Sequence, residues 1–365
     1  MFDNIKINNF LKKGNRYFYT KNYDLALDYF ESILLLDDNH KEALFKKACI
    51  YVEFDRYSEA ISILDLLEET TDVLLLKGRI HILQNEYDTG LKYYKKASKV
   101  YDFDKFNQEL IYYAHTSSLD DELNRKIFLE LCDIILEKDD IDEIRLLKSS
   151  TLYLYYKNYD GALNNINYIL AHNPKNVDAL ELKSSILRSY EKYDEAVDTA
   201  TKALNLGASD VLLYYTKIYG LYKLNKLDEA EEFCKEYISL NPLDSEGFLL
   251  LSKIFYKKEK YDLALDNVNS ALIRSSKEDD LEDYCDVSWF KALILFTSKD
   301  YEQSMNICNL LIKDNPKKSR NYYLKAKILF DEGKLDESLK YINKALELDS
   351  DCPEAIELKN KIENY

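Results

Sequence analysis

The stretch YDGALNNINYILAHNPKNVDALELKSSILRSYEKYDEA, residues 159–196, decides the fold of this chain. It begins and ends with the same pattern, Tyr-Asp-x-Ala, and its two copies start 34 residues apart, at Tyr159 and Tyr193. A repeat of this length indicates stacked supersecondary units, because one such unit cannot bury its apolar face alone. Further copies, some of them looser, begin at Tyr23, Tyr57, Tyr87, Leu227, Tyr261, Tyr301 and Leu335.

Small residues recur at two fixed distances from the first residue of each copy, which we call the anchor. The position nine residues before the anchor is small in eight of the nine copies, and only Ile218 departs from the rule. Small residues at fixed places on two helices allow their backbones to approach closely. The sequence therefore predicts two closely packed helices per repeat. The position three residues after the anchor is small in every copy: Ala26, Ala60, Gly90, Ala162, Ala196, Ala230, Ala264, Ser304 and Ser338.

This order of small, aromatic and proline positions resembles the tetratricopeptide repeat family, whose unit is a helix–turn–helix of 34 residues. The prolines agree with the resemblance, since Pro174, Pro242 and Pro316 each lie fifteen residues past an anchor, where the second helix has to stop. The resemblance covers nearly the whole chain. It implies an all-α fold, a right-handed α-solenoid (superhelix) of about ten helix–turn–helix repeats with a C-terminal capping helix.

The turn between the two helices departs from the family pattern. The family usually has glycine two residues before the anchor, and only Gly333 keeps it. Asn85 tolerates a left-handed backbone, whereas a lysine such as Lys157 adopts it at a cost. The aspartate after the anchor, such as Asp24, is expected to cap the second helix.

The chain is expected to form one array with two irregular places. Residues 1–352 should form the repeats and residues 353–365 the capping helix. A degenerate repeat is predicted at about 105–142, where helical apolar spacing persists although the anchor is lost. An acidic insertion lies at about 276–284. We interpret it as a solvated loop or an overlong helix end, with a regulatory or docking segment as the alternative.

Composition argues against several classes of protein. The 66 acidic and 50 basic residues give a net charge of −16, which disfavours binding to nucleic acid. Neither a signal peptide nor an apolar run long enough to span a membrane is present, so no membrane contact is expected. The six cysteines form no C-x-x-C pair. Reduced thiols of this kind favour a cytoplasmic location.

Signatures of catalysis are missing from the sequence. It contains no glycine-rich phosphate loop, no H-E-x-x-H motif and no G-x-S-x-G motif. The four histidines lie far apart, and the cysteines occupy scattered positions. We therefore expect no enzyme activity, no cofactor and no metal.

The resemblance also indicates where a partner would bind. In this family the first helix of each repeat presents residues fifteen, twelve, eight, five and four positions before the anchor to the concave groove. In the early repeats these positions hold mixed residues, such as Asn15, Glu42 and Asp72. In the C-terminal half they are aromatic and cationic, which favours peptide capture. The predicted partner-binding residues are Tyr215, Tyr219, Tyr222, Lys223, Lys253, Tyr256, Lys257, Trp289, Phe296, Arg320, Tyr323, Lys327 and Phe330.

Function follows as a hypothesis from these positions. The chain is expected to be a non-catalytic scaffold for protein–protein interaction. Its groove would bind a protein or peptide segment that carries acidic or C-terminal carboxylate groups. Some family members hold chaperone C-termini with a carboxylate clamp, but only Asn15 matches that clamp here, while Leu11 and Asp72 do not. The alternatives are an assembly module that uses its ends or convex face, and a regulatory partner of an enzyme.

Overall fold

The computed structural model describes residues 2–115, 121–275, 277 and 280–364. Within these ranges the chain forms 21 α-helices, one short 3-10 helix and no strand. The predicted all-α solenoid class of stacked helical hairpins is therefore confirmed. In the part of the chain that is described, no helix combines the length and the apolar character needed to cross a membrane.

The chain divides into two compact units, Met1–Asn165 and Ile166–Tyr365. The helices of the first unit are α1 (Phe2–Tyr19), α2 (Tyr23–Leu34), α3 (Lys41–Glu53), α4 (Tyr57–Leu64), α5 (Thr71–Leu83), α6 (Tyr87–Ala97), α7 (Phe103–His115), α8 (Glu122–Lys138) and α9 (Asp142–Tyr156), with the 3-10 helix at Ser98–Val100. Helix α10 (Tyr159–His172) contains the division between the units.

The second unit continues with α11 (Val177–Ser189), α12 (Tyr193–Asn205), α13 (Val211–Lys223), α14 (Leu227–Leu240), α15 (Ser245–Lys257), α16 (Tyr261–Arg274), α17 (Leu281–Thr297), α18 (Tyr301–Asp314), α19 (Ser319–Asp331), α20 (Leu335–Leu348) and α21 (Pro353–Glu363). From α1 to α20, odd-numbered helices are the first helices of the repeats, and even-numbered ones are the second helices. First helices of neighbouring repeats touch each other, as α11 touches α13 and α13 touches α15. The first helices therefore share one face, which we call the first-helix face.

The turn between first and second helix contains a left-handed residue in all nine anchored repeats. The residue two before the anchor has a positive φ each time, from 49° at Lys157 to 76° at Gly333. In the turn before α16, the N–H groups of Glu259 and Lys260 donate to the carbonyls of Tyr256 and Phe255, at 3.0 and 2.9 Å. This pattern closes helix α15. The expectation that a lysine such as Lys157 adopts a left-handed conformation here is confirmed.

The two small positions meet where paired helices touch. Ala196, Ala230 and Ala264 have no exposed surface. The hydroxyl of Ser252 donates to the carbonyl of Ala264 at 2.6 Å, across the contact between α15 and α16. An equivalent bond joins Ser338 to Ala326 at 2.7 Å. The predicted close approach of the two helices is thus confirmed, and serine is accepted at this contact because its hydroxyl finds a carbonyl there.

The prediction that an aspartate after the anchor caps the second helix is wrong. Helix α2 begins at the anchor itself, so its N-cap is Asn22, which makes no side-chain capping bond, and Asp24 lies in the first turn. Helix α12 likewise has Lys192 at its N-cap and Asp194 in its first turn. An acidic residue in the first turn still interacts favourably with the helix dipole. This accounts for the recurrence without a capping bond.

The irregular places are helical where they are described. Helices α7 and α8 occupy the predicted degenerate repeat, and Leu110 and Ile127 are buried there. Residues 116–120 lie outside the described residues, as do Ser276, Glu278 and Asp279 of the acidic insertion. The limits of the array stay a prediction.

The last helix packs on the repeat that precedes it. In α21, Ala355, Leu358 and Ile362 are buried in one cluster with Tyr322 and Ile342. Its role as a cap stays a prediction.

Candidate partner-binding surface

All thirteen predicted partner-binding residues lie on four successive first helices of the second unit, α13, α15, α17 and α19. Lys223 and Lys257 are exposed, and the other eleven are half-buried. We call this set of thirteen residues the aromatic–cationic row. Because no member is fully buried, each keeps some surface that a partner could touch.

Lysines lie over tyrosine rings between α13 and α15. The ammonium group of Lys223 lies 5.3 Å from the ring centre of Tyr219. That of Lys257 lies 4.7 Å from the ring centre of Tyr222 and donates to the Tyr222 carbonyl at 3.1 Å. The pKa of Lys223 is raised, chiefly by its interaction with the Tyr219 hydroxyl. Within the described residues, neither lysine forms an ion pair with a carboxylate, although the charge of Glu191 acts on Lys223.

Tyr215 has a structural task that the sequence did not reveal. Its hydroxyl donates to the Asp244 carboxylate, which also accepts a bond of 2.8 Å from the Tyr237 hydroxyl. Asp244 in turn caps helix α15 by accepting from the N–H of Gly247. Burial and these bonds raise the pKa of Tyr215 well above its ordinary value. The hydroxyl of Tyr215 is therefore already bonded to Asp244, and its ring is the part left for a partner to touch.

Tyr256 joins α15 to α17. Its hydroxyl lies 3.0 Å from that of Thr297, and its ring meets the edge of Phe290 at a centroid distance of 5.5 Å. Lys253, one helical turn earlier, makes no hydrogen bond or ion pair within the described part of the chain. Burial raises the pKa values of Glu246 and Asp283, and the positive charge of Lys253 opposes that shift in both carboxyls.

Trp289 and Arg320 join α17 to α19. The indole N–H donates to the Arg320 carbonyl at 3.4 Å, and the guanidinium group lies 5.1 Å from the ring centre. Arg320 also forms an ion pair with Asp286. Asp286 therefore competes with an anionic partner for Arg320, which was predicted to bind such a partner. Lys327 forms no ion pair within the described residues, although its charge acts on Glu357. Its ammonium group lies 5.1 Å from the ring centre of Phe296 and 5.9 Å from that of Tyr323.

A cavity of about 440 Å³ adjoins the aromatic–cationic row, and several of its residues were missed from the sequence. Glu246 and Arg188 lie fifteen and five residues before their anchors, so the family positions could have identified both. Tyr193 was interpreted only as an anchor, although its ring meets Tyr219 at 6.0 Å. We call this cavity the tyrosine cavity. Its lining residues are Arg188, Ser189, Glu191, Tyr193, Tyr215, Tyr219, Glu246 and Leu250.

The first unit has a larger cavity on its own first-helix face, of about 680 Å³. Its charges are mostly paired with each other. Lys105 forms an ion pair with Asp72 at 3.2 Å, and Arg79 forms one with the buried Glu109. Asn15, the residue that matches the carboxylate clamp, donates to Glu42 at 2.9 Å. The Asn15 amide therefore faces a carboxylate of the chain itself.

Comparison with known proteins agrees with the repeat fold. Models of the tetratricopeptide repeat match residues 11–72 and 319–352. TPR repeat-containing protein MJ1428 of Methanocaldococcus jannaschii is 22% identical over 90% of this chain and 61% of its own length. Hsp70-Hsp90 organizing protein of Triticum aestivum is 20% identical over 71% of this chain and 39% of its own length. The chain therefore spans less than two thirds of either relative.

Among solved structures, a tetratricopeptide repeat protein from Parabacteroides merdae superposes with a TM-score of 0.57 at 13% identity, over 72% of this chain and 99% of that one. This likeness concerns the fold. The matched repeats and the repeat-containing relative identify the chain as a tetratricopeptide repeat protein.

Proposed function

We propose that the chain is a non-catalytic scaffold that binds a peptide segment of a protein partner along the aromatic–cationic row. The observation behind the proposal is that the repeat does not require the aromatic rings of the row, which continue across four helices, or its lysines, which lie on three of them. The repeat's own packing is provided by its small and large buried positions, such as Ala264 and Val268, which have no exposed surface.

The chemistry of the row favours a segment with acidic groups. Lys223, Lys257 and Lys327 each place an ammonium group over an aromatic ring and form no ion pair within the described residues. Tyrosine and tryptophan rings provide contact area with few rotamers to immobilise. A carboxylate of the partner segment that enters beside Lys257 would gain an ion pair. The partner residues next to that carboxylate would cover the rings of Tyr222 and Tyr256.

Relatives give this proposal general support. The name of the wheat relative states that it organizes Hsp70 and Hsp90, which is an interaction with other proteins rather than a reaction. We extend only that general role to the present chain. The identity of its partner does not follow from the likeness, because this chain spans 39% of that protein.

Charge reversal on the row tests the proposal. Wild-type protein, Lys257→Glu and Lys202→Glu are used to capture partners from a native lysate, which are then identified by mass spectrometry. Lys202 is the control because it is exposed on the second helix α12 and its substitution changes the net charge equally. We expect a partner that is captured by wild type and Lys202→Glu but lost with Lys257→Glu. Equal capture by all three proteins would contradict the proposal.

The only tryptophan provides a second test. Trp289 is half-buried, so acrylamide should quench part of its fluorescence in the free protein. Bound partner should reduce that quenching. Quenching that is unaffected by a saturating partner would place the binding site elsewhere.

A second candidate function is assembly through the edge of the array. Leu243 and Ile273 are exposed by 84% and 82%, and both lie beyond or at the C-terminal ends of second helices. Exposed apolar residues of this size favour contact with another protein. Capture that is lost with Ile273→Lys and kept with Lys257→Glu would favour this alternative.

A further inference from the structure

The tyrosine cavity has an acidic side that differs from the lysines of the aromatic–cationic row. Glu246 lies in the first turn of α15 and lines the cavity with the rings of Tyr193, Tyr215 and Tyr219. All four of these residues are half-buried. The cavity of about 440 Å³ is wide enough for one long side chain, whose polar end would meet Glu246.

The Glu246 carboxylate lacks a hydrogen bond or ion pair among the described residues. Its pKa is raised, first by burial and then by Asp283, Asp244 and Asp286, while Lys253 opposes the shift. A carboxylate that has lost part of its water without gaining a direct ion pair is unfavourable, and the raised pKa shows that the charge of Lys253 does not offset this cost. A cation supplied by a partner would remove that cost.

The three tyrosine rings favour a cation for a separate reason. The face of an aromatic ring attracts a guanidinium or ammonium group, and a guanidinium also stacks on it. The chain already uses this attraction near the cavity, since Lys223 lies 5.3 Å from the Tyr219 ring and 6.0 Å from the Tyr193 ring.

Other charges at the cavity define the orientation of a ligand. Arg188 and Glu191 line the cavity from α11 and the turn that follows it, and their charges are of opposite sign. Glu246 approaches from α15, close to the carboxylates that raise its pKa. A basic side chain is therefore best accommodated with its charged end towards α15.

We propose that the tyrosine cavity binds a basic side chain of the partner, arginine in preference to lysine, with Glu246 as its counter-ion. The inference rests on the proposed function and adds to it the chemistry of one partner residue. Arginine is preferred because its planar group can stack on a tyrosine ring and donate two parallel hydrogen bonds to one carboxylate. The partner segment would then carry a basic residue at the cavity and acidic residues along the lysines of the row.

A labelled peptide tests the proposal. Fluorescein-labelled hexa-arginine is titrated with the full chain, and anisotropy is measured for wild type, Glu246→Gln and Glu232→Gln. Glu232 is the matched control, since it is exposed on α14 and its substitution removes the same charge. We expect Glu246→Gln to weaken binding roughly tenfold and Glu232→Gln to change it less than about twofold. Equal effects of the two substitutions, or no binding to wild type, would overturn the assignment.

Two further measurements test whether binding depends on the rings of the tyrosine cavity and on arginine rather than lysine. Tyr219→Leu removes a ring from the cavity and should also weaken hexa-arginine binding, while circular dichroism checks that the variant is folded. Labelled hexa-lysine should bind more weakly than hexa-arginine. A partner that is lost with Lys257→Glu but kept with Glu246→Gln would leave the proposed function intact and refute this inference.

Discussion

Enlarging the small position on α16 should loosen the second unit in a local and measurable way. Ala264 has no exposed surface, and its carbonyl accepts the Ser252 hydroxyl at 2.6 Å. Leucine at this position adds three carbon atoms at the contact between α15 and α16. They have no room unless the helices separate and the bond to Ser252 is lost.

The expected loss can be estimated from that contact. Overpacking a buried position typically costs about 1–3 kcal/mol. In a unit of this size, each kcal/mol lowers Tm by about 2–4 °C. Ala264→Leu should therefore lower Tm by roughly 2–12 °C.

Thermal unfolding followed by circular dichroism measures the loss, with Asp266→Leu as the control. Asp266 is exposed on the same helix, so the same side chain is added there without filling a contact. Hydrogen exchange then locates the damage. Because stability in repeat arrays is roughly a nearest-neighbour property, α15 to α17 should lose more protection than α20. An unchanged Tm, or equal effects of both substitutions, would refute the assigned contact.

Two other substitutions test local features of the second unit. Glu259→Gly should raise stability by about 0.5–1 kcal/mol, because Glu259 has φ 58° and glycine adopts that backbone without strain. The control is Lys260→Gly, which should bring no gain in Tm because φ is −93° at Lys260. Glu246→Gln should raise Tm near neutral pH, because the raised pKa of Glu246 means that its ionised form disfavours the fold. This gain in Tm should vanish below pH 4.5, the ordinary pKa of glutamate, because the carboxyl is then protonated in the folded and the unfolded chain alike. A gain in Tm that is independent of pH would contradict the assigned cause.

The sequence predicted those features that every repeat needs. Ala264 and Ser338 were placed correctly at the helix contact because the same demand recurs at each anchor. The left-handed turn was predicted at Lys157 for the same reason, and it is present with φ 49°. The capping role of Asp24 was wrong, since recurrence shows that an acid is favoured near the helix start but not which bond it makes.

Features that belong to a single repeat were harder to predict. The ion pair between Arg320 and Asp286 joins residues 34 positions apart on different helices, and no motif marks it. The hydrogen bond from the Tyr215 hydroxyl to the Asp244 carboxylate is likewise marked by no motif. Glu246 was within reach of the sequence argument, since it occupies a groove position of the family.

Site-specific photocrosslinking tests the central claim, that the partner binds on the first-helix face of the second unit. A photoreactive phenylalanine analogue replaces Tyr219, Tyr323 or Ile273 in separate proteins, and adducts formed in native lysate are identified by mass spectrometry. Tyr219 and Tyr323 lie half-buried on α13 and α19, whereas Ile273 is exposed on the second helix α16. We predict the same partner adduct from positions 219 and 323 and none from 273. Adducts from position 273 alone would contradict the assignment of the binding surface.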